Sequence, residues 1–170
     1  MSDHPPAAPA PADALFFRQV MGRFATGVAV VSLAREDGTI GAMTINSLVS
    51  VSLDPMLVSW SLQNTSSHCA DFLAASRFAI SILADDQEAL ARRYAARGDS
   101  AQVVEDFALS PAGLPVIANA LGSVECERWA VHPAGDHTLI LGQVTALAMG
   151  KAERPLTFFS GRFGSLPPIG

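Results

Sequence analysis

Residues 41–62, GAMTINSLVSVSLDPMLVSWSL, decide how the chain is read. By parity, Met43, Ile45, Val49, Val51 and Leu53 fall on one face of an extended strand, with Ser47 as a polar intruder. Thr44, Asn46, Ser50 and Ser52 fall on the other face, with Leu48 as an apolar one. Alternation with a period of two predicts a strand half buried on a core. The hydroxyl face is unusual, because no side chain on it carries a charge. A neutral, flat ligand with polar edges suits such a face. A covering strand or a second subunit, with the hydroxyls bonded locally, is the commoner explanation on parity alone.

Asp54 and Pro55 break this strand from the next. In MLVSWSL, residues 56–62, Met56, Val58, Trp60 and Leu62 share one side. Leu57, Ser59, Ser61 and Gln63 share the other, again a neutral hydroxyl face. The polar turn Asn64-Thr65-Ser66-Ser67 follows and leads into a helix over residues 68–75. Hydroxyls at a helix start can cap it, and with the free backbone N–H groups they can also hold a phosphate.

The rest of the chain builds outward from there. Residues 1–12 hold four prolines and read as a disordered tail. Asp13 can cap a helix over residues 14–25, with an apolar stripe of Leu15, Phe16, Val20 and Phe24 and Gly27 as its stop. VAVVSL, residues 28–33, is a continuous apolar strand, joined through the turn signal Asp37-Gly38 to the strand first described. FAISIL, residues 78–83, is another strand. Asp85 and Glu88 have capping-box spacing before a helix that turns Leu90 and Tyr94 inward. Its Arg92, Arg93 and Arg97 lie toward the C-terminal end, where cations complement the helix dipole or reach an anionic ligand. Residues 98–120 read as an irregular excursion. Strands are expected over residues 121–131 and 137–149, separated by the turn His132-Pro133-Ala134-Gly135-Asp136. Residues 155–163 close the domain as a strand or helical turn. The count is six or so strands and two or three helices, mainly β with peripheral α. With hairpin-range connections this implies an antiparallel barrel with helices packed outside.

The totals set limits. A chain of 170 residues suits one domain with a real core, here residues 13–166 between short tails at 1–12 and 167–170. Hydrophobic residues make up 49% and charged residues 16%, which is lean in charge and points to a buried oligomer interface. A net charge of -5 argues against nucleic acid or an anionic membrane as the main partner. No apolar run approaches the ~20 residues of a membrane span, and no signal peptide is visible. Two cysteines, Cys69 and Cys126, form no disulfide framework, so a cytoplasmic location is expected. GxSxG, HExxH, CxxC, Walker and GxGxxG motifs are missing, and no metal site is expected. His137 follows a Gly-Asp turn at a strand start. It reads either as a hydrogen-bonded surface residue or as an imidazole presented at a cleft mouth.

The ordered set of residues 41–62, the turn at 64–67, GDHTLILGQV from Gly135 and FFSGRFGSL from Phe158 resembles the flavin reductase-like family. The resemblance covers about residues 15–166. It implies a homodimer of six-stranded antiparallel FMN-binding split barrels with Greek-key connections. It implies hydride transfer from NADH or NADPH to FMN or FAD, with the reduced flavin leaving for a separate monooxygenase. On this resemblance Thr44, Asn46 and Ser47 line the isoalloxazine and ribityl, and Ser61, Leu62 and Gln63 follow the ribityl chain. Ser66, Ser67 and His68 form the phosphate turn, and Arg93 and Tyr94 close over the phosphate. His137 lies near the nicotinamide, and Arg162 sits beside the site. Ile45 and Leu48 stand where the family often has Ala and Phe, and Ser81 where Asn is frequent. The alternative is a barrel that holds its flavin tightly for electron transfer or ligand binding, with no NAD(P)H reductase activity.

Overall fold

The computed structural model describes residues 13–96 and 104–167. The two expected tails, apart from Pro167 in the second, Arg97 and the start of the excursion at residue 98 lie outside them.

The chain opens with α1 (Ala14–Met21), which is shorter than expected. Asp13 caps it by accepting from Phe16 N at 2.8 Å, and Gly22 ends it through a bond to the Arg18 carbonyl at 2.9 Å, well before Gly27. No residue of α1 is buried. β1 (Thr26–Gly27) is a two-residue strand that pairs with β11 (Leu156–Phe159), and β11 pairs with β12 (Arg162–Ser165). The final segment is thus a hairpin of two strands.

The main sheet has seven strands rather than six. These are β2 (Ala29–Ala34), β3 (Ile40–Ile45), β4 (Val49–Leu53), β5 (Met56–Gln63), β6 (Arg77–Ile82), β9 (Gly122–Ala134) and β10 (His137–Met149). Their order is β3-β2-β6-β9-β10-β5-β4, and every pairing is antiparallel. The extra strand comes from the stretch at residues 41–53, expected as one strand, which breaks at Asn46 and restarts at Val49 on the opposite edge of the sheet. β3 and β4 are the two edges and do not pair with each other, so the sheet is open. Within the expected excursion, β7 (Phe107–Leu109) and β8 (Pro115–Ile117) form a small hairpin.

One face of the sheet closes on a single apolar cluster that includes Val31, Ile45, Trp60, Leu62, Phe78, Val124, Cys126 and Ile140. Trp60 sits at its centre, edge-on to Phe78 at 5.8 Å and to Phe72 at 5.1 Å. Phe72 comes from α2 (Cys69–Ala74). The other face carries a second cluster of Val28, Val30, Ala42, Leu83, Leu156 and, from α3 (Glu88–Ala95), Ala91 and Tyr94. Both faces of β2 are therefore covered, which is why its sequence is a continuous apolar run. Gly142 on β10 is a packing requirement of the first cluster: a Cβ there would lie 2.6 Å from Phe78 Cζ and 2.8 Å from Cys126 Cβ. Ahead of α3, Gln87 Oε1 accepts from Ala84 N at 3.0 Å, so capping falls on Ala84 and Gln87 in place of Asp85 and Glu88.

Val49, Val51 and Leu53, expected on the core side with Met43 and Ile45, are instead exposed, Leu53 at 86%. The break after β3 carries them to an edge strand whose only neighbour among the described residues is β5.

Candidate functional site

The site is built where β5 ends. Its last residues pair with the start of β10, placing His137 opposite Gln63 and Thr138 opposite Leu62. The turn into β10 needs a positive φ at its first central position, and Gly135 supplies it at 66°. Asn64 then ties this turn to the one after β5. Its N–H donates to the Asp136 carbonyl at 3.0 Å, its amide donates to the Gly135 carbonyl at 3.3 Å, and its Oδ1 accepts from Thr138 Oγ1 at 2.7 Å. Two loops more than 70 residues apart in sequence thus form one unit.

The turn at Thr65–His68 lines a cavity of about 430 Å³ with Met43, Thr44 and Gln63 and with Ala95 and Ala96 at the end of α3. Ser66 N donates to the Gln63 carbonyl at 3.0 Å, and Ser66 Oγ accepts from His68 N at 3.2 Å. The Ser66 hydroxyl keeps its own O–H to donate elsewhere. Thr44 Oγ1 donates to the Ala91 carbonyl at 2.8 Å, which fixes β3 to α3. Ser47 Oγ accepts from Ser61 N at 3.0 Å and likewise keeps its O–H.

Asn46 and Ser47 line a second groove of about 720 Å³ with Phe17, Met21, Phe24, Thr26, Val28 and Val49. Thr26 Oγ1 is buried there without a hydrogen-bond partner. An unmade bond of that kind costs about 1–3 kcal/mol, so a polar group arriving in the groove has a donor and acceptor waiting. Sequence reasoning missed Thr26, because nothing in its neighbourhood distinguishes it from any strand threonine.

The remaining expected residues fall elsewhere. Leu62 is fully buried in the first core cluster, so its side chain packs against Trp60 and its neighbours and only its backbone borders the site. Arg93 is ion-paired with Asp106, and that partner raises its pKa. Tyr94 donates to the same carboxylate at 2.7 Å; burial first, then that bond, pushes its phenol upward. Both side chains of α3 are therefore engaged away from the turn. Arg162 lines a separate cavity of about 510 Å³ with Arg23, Thr157 and Phe159. Cys126 is buried, and burial pushes its thiol up to about 12, which suits a core residue and not a nucleophile. Ser81 accepts from Ile117 N at 2.9 Å inside the fold.

His137 is half exposed, and its Nδ1 lies 2.8 Å from Asp136 Oδ1. A carboxylate only accepts, so Nδ1 carries the proton and Nε2 is the outward nitrogen. The imidazole beside it holds Asp136 below the usual carboxylate range. Among the described residues no group of three or more His, Cys, Asp or Glu is placed to hold a metal. No helix among them is long and apolar enough to cross a membrane.

An open antiparallel sheet with hydroxyl-bearing grooves near its strand ends defines a class of β-proteins suited to planar cofactors with polar edges. The comparisons narrow it: the sequence pattern of the "Flavin reductase like domain" matches residues 21–167, and the chain belongs to that family. It is 44% identical over 148 residues to an FMN reductase (NADH), SmoA, of Agrobacterium fabrum, covering 87% of this chain and 83% of that protein. It is 31% identical to HsaB of Rhodococcus jostii, the reductase subunit of a flavin-dependent monooxygenase, over 89% of this chain and 77% of that one. Among solved structures it is similar to the NADH:FAD oxidoreductase SgcE6 of Streptomyces globisporus, solved with NAD and FAD fragments. There the TM-score is 0.88 at 32% identity, covering 97% of this chain and 99% of that one.

Proposed function

We propose that the protein is an NADH-dependent flavin reductase that reduces FMN or FAD by hydride transfer and supplies the reduced flavin to a separate monooxygenase. The observation that carries the reading is the Asn64-centred unit. It ties the turn after β5, which carries Ser66 and His68, to the turn that presents His137, in a chain of this family. The residues fit such a ligand: Ser47 and Ser66 hold unspent O–H donors, and Thr26 is a buried hydroxyl without a partner.

Bound flavin supplies the hydride acceptor. The chain's own part is positioning, which is where most of the rate of such a transfer arises. On this reading the Ser66, Ser67 and His68 turn takes the phosphate, and Gln63 and Ser61 border the ribityl. Thr44, Asn46 and Ser47 face the ring, where the Ser47 hydroxyl, whose proton is unspent, stabilises charge developing on its polar edge, while Thr44 is tied to α3. His137 orients the nicotinamide through Nε2. None of these residues is a strong acid or base, and none is needed.

Homodimerisation belongs to the same proposal. Val49, Val51 and Leu53 on β4 and Leu15, Phe17 and Phe24 on or beside α1 are large exposed apolar residues, a surplus that supports burial against a second copy. Arg93, Tyr94 and Arg162 then keep their assigned places only through the assembled dimer or a shift on binding. Two unpaired cysteines suit a reducing compartment, the cytoplasm.

The test is NADH consumption with and without added FMN, then FAD. Turnover that requires added flavin is the expected result, and the better flavin identifies the substrate. Absence of turnover with either flavin, NADPH also tried, overturns the reductase and leaves a flavin-binding protein of this fold.

A further inference from the structure

Arg35 stands just after β2, and no role described so far uses it. Its Nε donates to Asp71 Oδ2 at 2.8 Å. One terminal nitrogen reaches Thr39 Oγ1 and the Ile40 carbonyl, and the other lies 3.0 Å from His68 Nδ1. A guanidinium has donors only. The contact with His68 is therefore a hydrogen bond only if Nδ1 accepts, and an imidazole that accepts at Nδ1 carries its proton on Nε2. The rival arrangement has Nδ1–H donating to Asp71. There Asp71 Oδ2 is 3.8 Å from Nδ1, a full ångström farther than from Arg35 Nε. Distance gives the carboxylate to Arg35 and leaves Nδ1 as an acceptor. His68 is 6% exposed and lines the same cavity as Ser66 and Ser67.

We infer that Arg35, held by Asp71, is a positioning residue that fixes His68 as the Nε2–H tautomer, and that this buried N–H is a donor to the flavin phosphate. The inference rests on the reductase reading for its ligand, but not for the tautomer. It also answers where the turn obtains its positive field, since Arg93 is engaged by Asp106. A neutral N–H backed by a guanidinium is a directional donor that holds a phosphate less tightly than a bare cation would. That suits a flavin that has to leave. Nothing local in sequence pointed to it, because Arg35 and His68 are 33 residues apart.

The experiment uses the full-length protein labelled with nitrogen-15. Long-range proton–nitrogen correlation reads the imidazoles, of which the chain has four, and loss of one set in His68→Gln assigns His68. The wild type is expected to show His68 with its proton on Nε2, and Arg35→Met to show a shift toward Nδ1–H. In turnover assays Arg35→Met should raise the KM for FMN about tenfold, equal to about 1.4 kcal/mol, and leave that for riboflavin, which lacks the phosphate, unchanged. Arg35→Lys should recover part of both effects. Asp71→Asn, which loosens Arg35 without removing it, should move both readouts the same way by less. Nδ1–H in the wild type, or an Arg35→Met spectrum identical to it, overturns the inference. So does an equal rise in KM for FMN and riboflavin, the mark of a purely structural role. If the wild type reduces no flavin at all, the reductase reading falls, and with it the phosphate as ligand, while the spectrum still decides whether Arg35 sets the tautomer.

Discussion

β3 and β4 are neighbours in sequence, read there as one strand of period two, and end in opposite surroundings. β3 pairs with β2, lays Ile45 into the Trp60 cluster and Ala42 into the cluster beneath α3. β4 pairs only with β5 and leaves Val49, Val51 and Leu53 bare. The difference is made by residues 46–48, where the chain leaves one sheet edge and rejoins the other, with Ser47 bonded to Ser61 N on the way. A period of two states that one side of a strand will be covered. It does not state whether the cover is the same chain or another molecule.

The largest effect is expected where that cover is missing. Replacing Val51 and Leu53 together by Asp would bury two unpaired carboxylates in any interface formed by β4, at several kcal/mol each. Light scattering should then report the 17.8 kDa protomer where the wild type reports twice that mass. A double variant that stays dimeric moves the interface off β4, to another exposed apolar surface such as α1. The folded protomer itself should be retained, because neither side chain packs inside it.

Next in size is the matching change on β3. Ile45→Ala removes a buried side chain from the Trp60 cluster and should cost about 2–5 kcal/mol, read as a lower denaturant midpoint at unchanged slope. Loss of less than about 1 kcal/mol would mean that the cluster collapses around the gap, and that β3 is held mainly by its bonds to β2 and by Thr44 on α3.

These two strands also show what could be read in advance. The helices, the strands at β2, β5, β6 and β10, and the turns at Asp37-Gly38 and Gly135-Asp136 follow from periodicity and turn chemistry, which are local. The polar turn after Gln63 was legible for the same reason, although no hydroxyl side chain caps α2, whose N-cap is His68; Ser66 bonds the His68 N–H instead. What was not legible depends on pairs distant in sequence. The break at Asn46 makes a seventh strand, Asp106 engages Arg93 and Tyr94, and Arg35 meets His68. Leu62 shows the limit of transferring a position from a resemblance: its side chain belongs to the core.

A smaller effect should come from Thr26, which touches the same break from the α1 side of the groove. Thr26→Val keeps the shape and removes an unpartnered buried hydroxyl. The protein should therefore become more stable, by about 1 kcal/mol, in the absence of flavin. If the hydroxyl is there for the ligand, flavin affinity should fall several-fold at the same time. Stability gained with affinity unchanged would make Thr26 an ordinary imperfection of the fold and remove the groove's best polar partner.

The smallest effect is expected at the turn into β10, where Asp136 and His137 form an exposed pair. The Asp136 carboxylate lies below its ordinary value of 3.8 because His137 donates to it. A carboxyl lowered in the folded state contributes stability above its unfolded value, and loses it as pH falls through the lower, folded one. Asp136→Asn should therefore differ slightly from wild type at neutral pH, hold that difference down to about pH 4, and converge with it below. The more telling readout is kinetic. His137→Ala should raise the nicotinamide KM or lower kcat and leave flavin affinity nearly unchanged. Asp136→Asn, whose amide can still accept from Nδ1–H, should move the same parameters in the same direction and by much less. If Asp136→Asn matches His137→Ala, the carboxylate's charge and not the ring's orientation is what the nicotinamide needs. If His137→Ala instead abolishes flavin binding, the imidazole lies against the flavin, and the turn at Gly135 and Asp136 belongs to the flavin's side of the cleft.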